Sequence, residues 1–180
     1  MYLSFKQKGV MRGAAMAAGV VVVVLSMAIY FNPFASPENL GLQQRLLVAV
    51  NADLLVVLCL AAAIGRLANH RFFTAEDIDG SDLTSGTDRA KLLQALLQNT
   101  LEQALLASVV YLASAILLPS RWLSVIPVAA LTFAIGRIAF FATYERGAAA
   151  RAFGFGLTFY PSVGLLICLI VRSLWSVAGT

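Results

Sequence analysis

Charge is what this sequence is short of. Only 12% of its 180 residues are Asp, Glu, Lys or Arg, where a soluble domain carries about a quarter. With 60% hydrophobic residues and a mean hydropathy of +0.84, that deficit excludes an ordinary water-soluble domain and leaves an integral membrane protein. Histidine occurs once, as His70, which excludes a multi-histidine metal centre, and no metal site is expected. Cys59 and Cys168 both lie inside apolar stretches and form no CxxC pair, so neither a disulfide framework nor a redox dithiol is expected. No basic run is interleaved with aromatics. The net charge of +4 therefore reads as membrane topology, and nucleic acid is not an expected partner.

The apolar residues fall into five segments, each near the ~20 residues a bilayer needs. They run over Gly13 to Phe31, Leu46 to Gly65, about Leu92 to Leu118, Trp122 to Phe141 and about Phe153 to Val171. The runs are too long for barrel strands, and backbone amides in lipid must be bonded internally, so all five are expected to be helices. The first has a long core and a poor cleavage site, which reads as a retained span rather than a signal peptide. Lys6, Lys8, Arg12, Arg66, Arg71, Arg89, Lys91, Arg137, Arg146 and Arg151 fall on one side, against Arg45, Arg121 and Arg172 on the other. The positive-inside rule then places the N-terminus in the cytoplasm and the C-terminus outside. The one long polar stretch, from Arg71 to Thr84 and on toward the third span, carries Glu76, Asp77, Asp79, Asp82 and Asp88. No Glu closes a twelve-residue calcium loop there, so the segment is expected to be a solvated connector.

Glu102 is the most informative residue. It sits in Gln98-Asn99-Thr100-Leu101-Glu102-Gln103, in the middle of an apolar span. A carboxylate at membrane depth costs roughly 2.5 kcal/mol or more and persists where it faces a bundle interior and finds partners. At 1.5 Å per residue, Asn99 and Glu102 lie roughly 12 and 16 Å in from the cytoplasmic end of their helix. Arg66 is expected to cap the cytoplasmic end of the second span, with Arg137 about one turn inside the fourth. Tyr144 and Arg151 follow Arg137 at seven-residue steps, which keeps them on one side if the helix continues. These groups converge on a pocket with several cations, one anion and amide donors, suited to a small, multiply anionic ligand. Plainer roles are open as well: the arginines as interface anchors, and Glu102 paired with Arg137 to pin two helices. Asp53, inside the second span, is expected to be protonated or bonded to a neighbour.

The order Arg66-Leu-Ala-Asn-His-Arg-Phe-Phe-Thr-Ala-Glu-Asp, Gln98-Asn-Thr-Leu-Glu102, Gly136-Arg137, Tyr144 and Arg151-Ala-Phe-Gly154-Phe resembles the MAPEG family, the membrane-associated proteins of eicosanoid and glutathione metabolism. The likeness covers about Leu46 to Val171. It implies an all-α integral membrane protein, a MAPEG-like four-helix bundle plus one extra N-terminal transmembrane helix. Residues 1–45 would be tail, extra helix and linker, and residues 46–180 the four-helix membrane domain. It further implies a homotrimer in which glutathione, as co-substrate, lies between subunits. Arg66, Asn99, Glu102 and Arg137 would bind it, and Tyr144 and Arg151 would be catalytic, Arg151 near the thiol or a terminal carboxylate. The electrophile would be lipophilic and enter from the bilayer.

Three positions depart from the family pattern. Ala95 stands where an Arg is usual, Leu97 where the microsomal transferases have a His, and Phe140 where a Tyr is common. Two readings follow. One is a glutathione-dependent transferase or peroxidase. The other is a non-catalytic membrane subunit or lipid-binding protein that keeps the bundle and has lost part of the glutathione site, its extra helix docking lipid or a hetero-complex partner. The apolar N-terminal anchor and the resemblance suggest a bacterial inner membrane.

Overall fold

The computed structural model describes residues 4–34, 40–80 and 86–178. Among them every regular element is helical: α1 (Phe5–Phe31), α2 (Leu42–Phe73), α3 (Asp88–Leu117), α4 (Val125–Thr143) and α5 (Ala148–Ala178), with single 3-10 turns at Ala75–Asp77, Ser120–Trp122 and Tyr144–Arg146. Five helical stretches are long and apolar enough to cross a membrane, and the chain is an integral membrane protein. The helices outrun the apolar segments, because polar residues cap them beyond the hydrocarbon. Ser4 and Gln7 close a capping box at the start of α1, satisfying two of its free amides. Thr87 caps α3 by accepting from the Ala90 N–H at 3.2 Å. At the other end of α3, the Arg45 Nε donates to the Ala115 carbonyl at 2.7 Å and the Arg172 Nε to that of Leu117 at 2.9 Å. Both cations meet the orphan carbonyls and negative dipole of a helix C-terminus.

Two local expectations are corrected. Arg66 does not cap α2, which continues past it to Phe73. Nor does the fourth helix continue through Tyr144. It stops at Thr143, makes one 3-10 turn, and breaks at Gly147, whose φ of +95° favours glycine; α5 then starts anew. The polar connector is corrected too. Asp77 is buried, its carboxylate accepting from the Thr87 N–H at 2.8 Å and hydroxyl at 2.6 Å and facing the His70 Nε2 at 2.9 Å. These bonds tie the C-terminal end of α2 to the N-terminus of α3. Asp82 lies outside the described residues.

The pairings α1 with α5, α2 with α3 and α4 with α5 dominate the bundle. Its main core gathers Val56, Val110, Tyr111, Ile126, Phe133 and Leu169. Small residues let two crossings close tightly, the usual device where lipid tails leave no hydrophobic drive between helices. A Cβ placed on Gly154 of α5 would lie 2.5 Å from the Phe140 backbone nitrogen of α4. One on Gly9 or Gly13 of α1 would lie 2.7 or 3.0 Å from Ala149 or Ala152 of α5. Asp53 is bonded, as expected, to a neighbour: the Ser108 hydroxyl donates to it at 2.7 Å.

Candidate functional site

The site grows from Arg137. The tight α4–α5 crossing at Gly136 and Gly154 buries its side chain completely, so its guanidinium must be satisfied within the protein. It donates to the Asn99 Oδ1 at 3.0 Å and the Thr100 Oγ1 at 3.4 Å on α3, and to the Thr158 Oγ1 at 2.6 Å on α5. The Phe140 ring lies 4.5 Å away, at a distance where a cation is attracted to its face. Three helices are thereby tied together by one side chain.

The same bonds orient Asn99. A guanidinium has only donors, so the amide oxygen must face Arg137, which turns the amide nitrogen away as a free donor. Asn99 lines a cavity of about 360 Å³ together with Tyr144, Arg151, Phe140, Phe155 and Tyr160. Tyr144 stands at the α4–α5 break and Arg151 one turn into α5. The Arg151 guanidinium lies 4.3 Å over the Tyr144 ring. The seven-residue spacing put these two on one side only if the helix continued; it does not, and the turn around Gly147 is what brings them together. The cavity so presents a carboxamide donor, a phenol and a cation, embedded in apolar walls. The size falls within the usual range for small-molecule sites.

The structure does not bring Glu102 or Arg66 into this cavity. Glu102 faces outward and is exposed, accepting from the Gln98 Nε2 one turn back at 2.9 Å. It does not pair with Arg137. Arg66 is also exposed, on α2, 5.5 Å from the Phe141 ring. Asn99 and Glu102 differ by three positions, about 60° around a helix, which suffices to send one inward and the other out. Of the departures noted above, Phe140 stacks on Arg137, Leu97 packs beside Phe140 in a small apolar cluster, and Ala95 lines a different cavity near Arg71 and Lys91. Thr158, Thr100, Val10 and Ala14 are contributors that spacing did not single out. Thr158 carries a usable signal, since it stands seven residues after Arg151 and four before Ser162, on one face of α5. Val10 and Ala14 carry none, because α1 looks like a plain anchor.

A model of the MAPEG family matches residues 46–171, the stretch holding α2 through most of α5 and every one of the polar groups just described. The chain belongs to the MAPEG family. That family includes glutathione transferases and enzymes of eicosanoid synthesis. Searches of curated proteins and of solved structures found no match. The MAPEG match leaves α1 outside it, although Val10 and Ala14 of α1 form part of the cavity wall. In this MAPEG chain the Asn-x-x-Glu element is therefore split: its Asn lines the cavity, and its Glu lies on the outer surface of the bundle.

Proposed function

We propose that this protein is a glutathione-dependent transferase or peroxidase acting on a lipophilic electrophile, and that it works as a homotrimer. The observation that carries the reading is that Asn99, Tyr144 and Arg151 line one cavity, within a MAPEG chain. A cation beside a thiol favours the thiolate, and the thiolate is the nucleophile. Arg151 is the residue suited to that task. The glutathione sulfur would form the new bond to the electrophilic carbon, or to a hydroperoxide oxygen, and the displaced group would leave with the electron pair. Tyr144 would supply it a hydrogen bond. Arg137 acts through Asn99, holding the amide so that it presents a donor to a glutathione carbonyl or carboxylate. Glu102 and Arg66 suit the ammonium and a carboxylate of the same ligand. They stand on the outer face of one subunit, so in this reading a neighbouring subunit covers them. The asymmetry of basic residues supports a bilayer orientation with the N-terminus in the cytoplasm and the C-terminus outside, and the apolar N-terminal anchor with the family suggests a bacterial inner membrane.

Calorimetry on the protein in detergent tests this. Saturable glutathione binding is expected in the wild type, lost in Glu102→Ala and weakened in Arg151→Gln. No binding at millimolar glutathione would sink the reading. The alternative, a non-catalytic membrane subunit or lipid-binding protein, is favoured by one specific feature: Ala95, Leu97 and Phe140 replace polar groups with apolar ones, and Phe140 is already committed to Arg137.

A further inference from the structure

The cavity has a wall that the family match does not cover. Val10 and Ala14 of α1 line it, and α1 is held in place by close contacts: a Cβ on Gly9 would lie 2.7 Å from that of Ala149. Arg151 and Tyr144 sit at one end, and Asn99 adds an amide from α3 near the level of Thr158, since Arg137 bonds both. Arg151 there makes no ion pair among the described residues, and the nearby Glu145 is engaged by Arg89. The rest of the lining is apolar, through Val10, Ala14, Phe140 and Phe155 to the ring of Tyr160. Tyr160 is nine residues beyond Arg151 on α5, about 13 Å along the helix. It also lines a second cavity of about 440 Å³ between α1 and α5, which Val21, Leu25, Gly164 and Cys168 border. Between the two cavities α1 and α5 touch: a Cβ on Gly156 would lie 2.5 Å from that of Ala17 and 2.8 Å from the Tyr160 ring.

We propose that α1 and Tyr160 make this cavity a site for a medium-chain anionic amphiphile, its charged head at Arg151 and Tyr144, its chain along α1, and its tail stopped by the Tyr160 ring. Charge complementarity sets the head: a lone cation at one end of an apolar slot selects a carboxylate or similar anion over a neutral group. The distance from Arg151 to Tyr160 sets the chain, which is shorter than a typical membrane acyl chain spanning half of a ~30 Å core. Removing the ring would join the two cavities and admit a longer chain. The inference goes beyond the glutathione reading, because its ligand is tested alone. A protein that binds the amphiphile and not glutathione would lose that reading and keep this one.

The probe is decanoate carrying a terminal diazirine, photolysed with the full-length protein in lipid nanodiscs, with the labelled peptides mapped by mass spectrometry. Labelling is expected on the segments around Val10, Ala14, Phe155 and Tyr160. Unlabelled decanoate should compete well; decanol should compete roughly tenfold less, the scale of one lost charge-assisted bond, and oleate less well because its tail meets the Tyr160 ring. Arg151→Gln should erase the preference for decanoate over decanol. Ala14→Trp, which fills the slot, should abolish labelling. Met16→Trp, on the exposed face of the same helix, should not, and it controls for damage to α1. Tyr160→Ala should bring oleate up to the level of decanoate. Labelling spread evenly over lipid-facing residues such as Met16 and Val23 would overturn the proposal. So would oleate competing as well as decanoate in the wild type, or insensitivity to both Ala14→Trp and Arg151→Gln in variants that elute as folded protein.

Discussion

Arg137 of α4 survives at membrane depth because two neighbouring helices, α3 and α5, bring it acceptors. The unpaired cost of such a cation is several kcal/mol, so each acceptor matters more than a surface bond would. Thr158→Val removes the closest one, at 2.6 Å, while keeping the side-chain shape. We expect it to lower stability by roughly 1–3 kcal/mol, the cost of stranding a buried donor. Thermal unfolding in detergent checks this, with Thr158→Ser expected to restore most of the loss. Asn99 and Arg137 were legible in the sequence as polar residues in apolar spans. Thr100 was not, and Thr158 showed only in its seven-residue step from Arg151, because a threonine in a transmembrane helix commonly bonds its own backbone. Both do so here as well, Thr100 to the Leu96 carbonyl and Thr158 to that of Phe155. Asp77 is a second residue misjudged from the sequence. An acidic run looks solvated, and only the fold shows that Thr87 and His70 close over one of its members. The Thr87 hydroxyl and amide hold the Asp77 carboxyl below its ordinary value of 3.8. A lowered folded-state value means that the ionised form stabilises the latch above the ordinary value, and that this contribution fades as pH falls through the depressed one. Hydrogen exchange over the start of α3, corrected for intrinsic rates, should therefore show protection near about pH 6 that is reduced near about pH 3. In Asp77→Ala the protection should be low at both.

At the scale of the helix, small residues decide how closely the elements approach. Gly154 and Gly164 both lie in α5, yet they should respond oppositely to the same substitution. A Cβ on Gly154 meets the α4 backbone at Phe140, which cannot rotate away, whereas one on Gly164 meets nothing within 4 Å. Gly154→Ala should separate α4 from α5 and cost about 1–3 kcal/mol, and it should disturb the Arg137 network at the same crossing. Gly164→Ala should be neutral or stabilise by up to about 1 kcal/mol, through helix propensity. Paired unfolding curves decide it; equal effects would show that the crossing is looser than its geometry. Five helices were legible from the apolar runs, since lipid leaves the backbone no alternative. Their ends were not, because caps such as Ser4, Thr87 and Arg45 act outside the apolar windows. The break at Gly147 was hidden for a related reason. Tyr144-Glu145-Arg146 is compatible with helix, and only the φ of Gly147 turns the chain. The contact between α1 and α5 was likewise out of reach, for Gly9, Gly13 and Ala17 read as an ordinary anchor until the partner helix is known.

For the whole molecule, the outward-facing charges raise the question of what covers them. Glu102 and Gln98 bond to each other on the exposed face of α3, and Arg66 is exposed on α2. A carboxylate facing lipid near the bilayer centre is costed at about 2.5–3.5 kcal/mol, more than one bond to Gln98 returns. Burial against a second copy, with cations and amides to receive it, removes that cost, and three copies close a ring with no face left over. Replacing both groups, as Gln98→Leu with Glu102→Leu, deletes the polar contacts while leaving the interior network of Arg137 untouched. Interhelical polar contacts in membranes contribute about 1–2 kcal/mol each at most. The double variant should therefore shift the assembly from trimer toward monomer by native mass spectrometry at low protein concentration, with helical content and unfolding temperature of the single chain preserved. It should also lose glutathione binding. If the trimer persists unchanged, Glu102 does not lie between subunits, and the assignment of Arg66 and Glu102 to a shared ligand fails with it. If the wild type itself is monomeric in nanodiscs, the Asn99, Tyr144 and Arg151 cavity enclosed by α1 is the whole site, and Glu102 must answer to lipid headgroups or to a different partner.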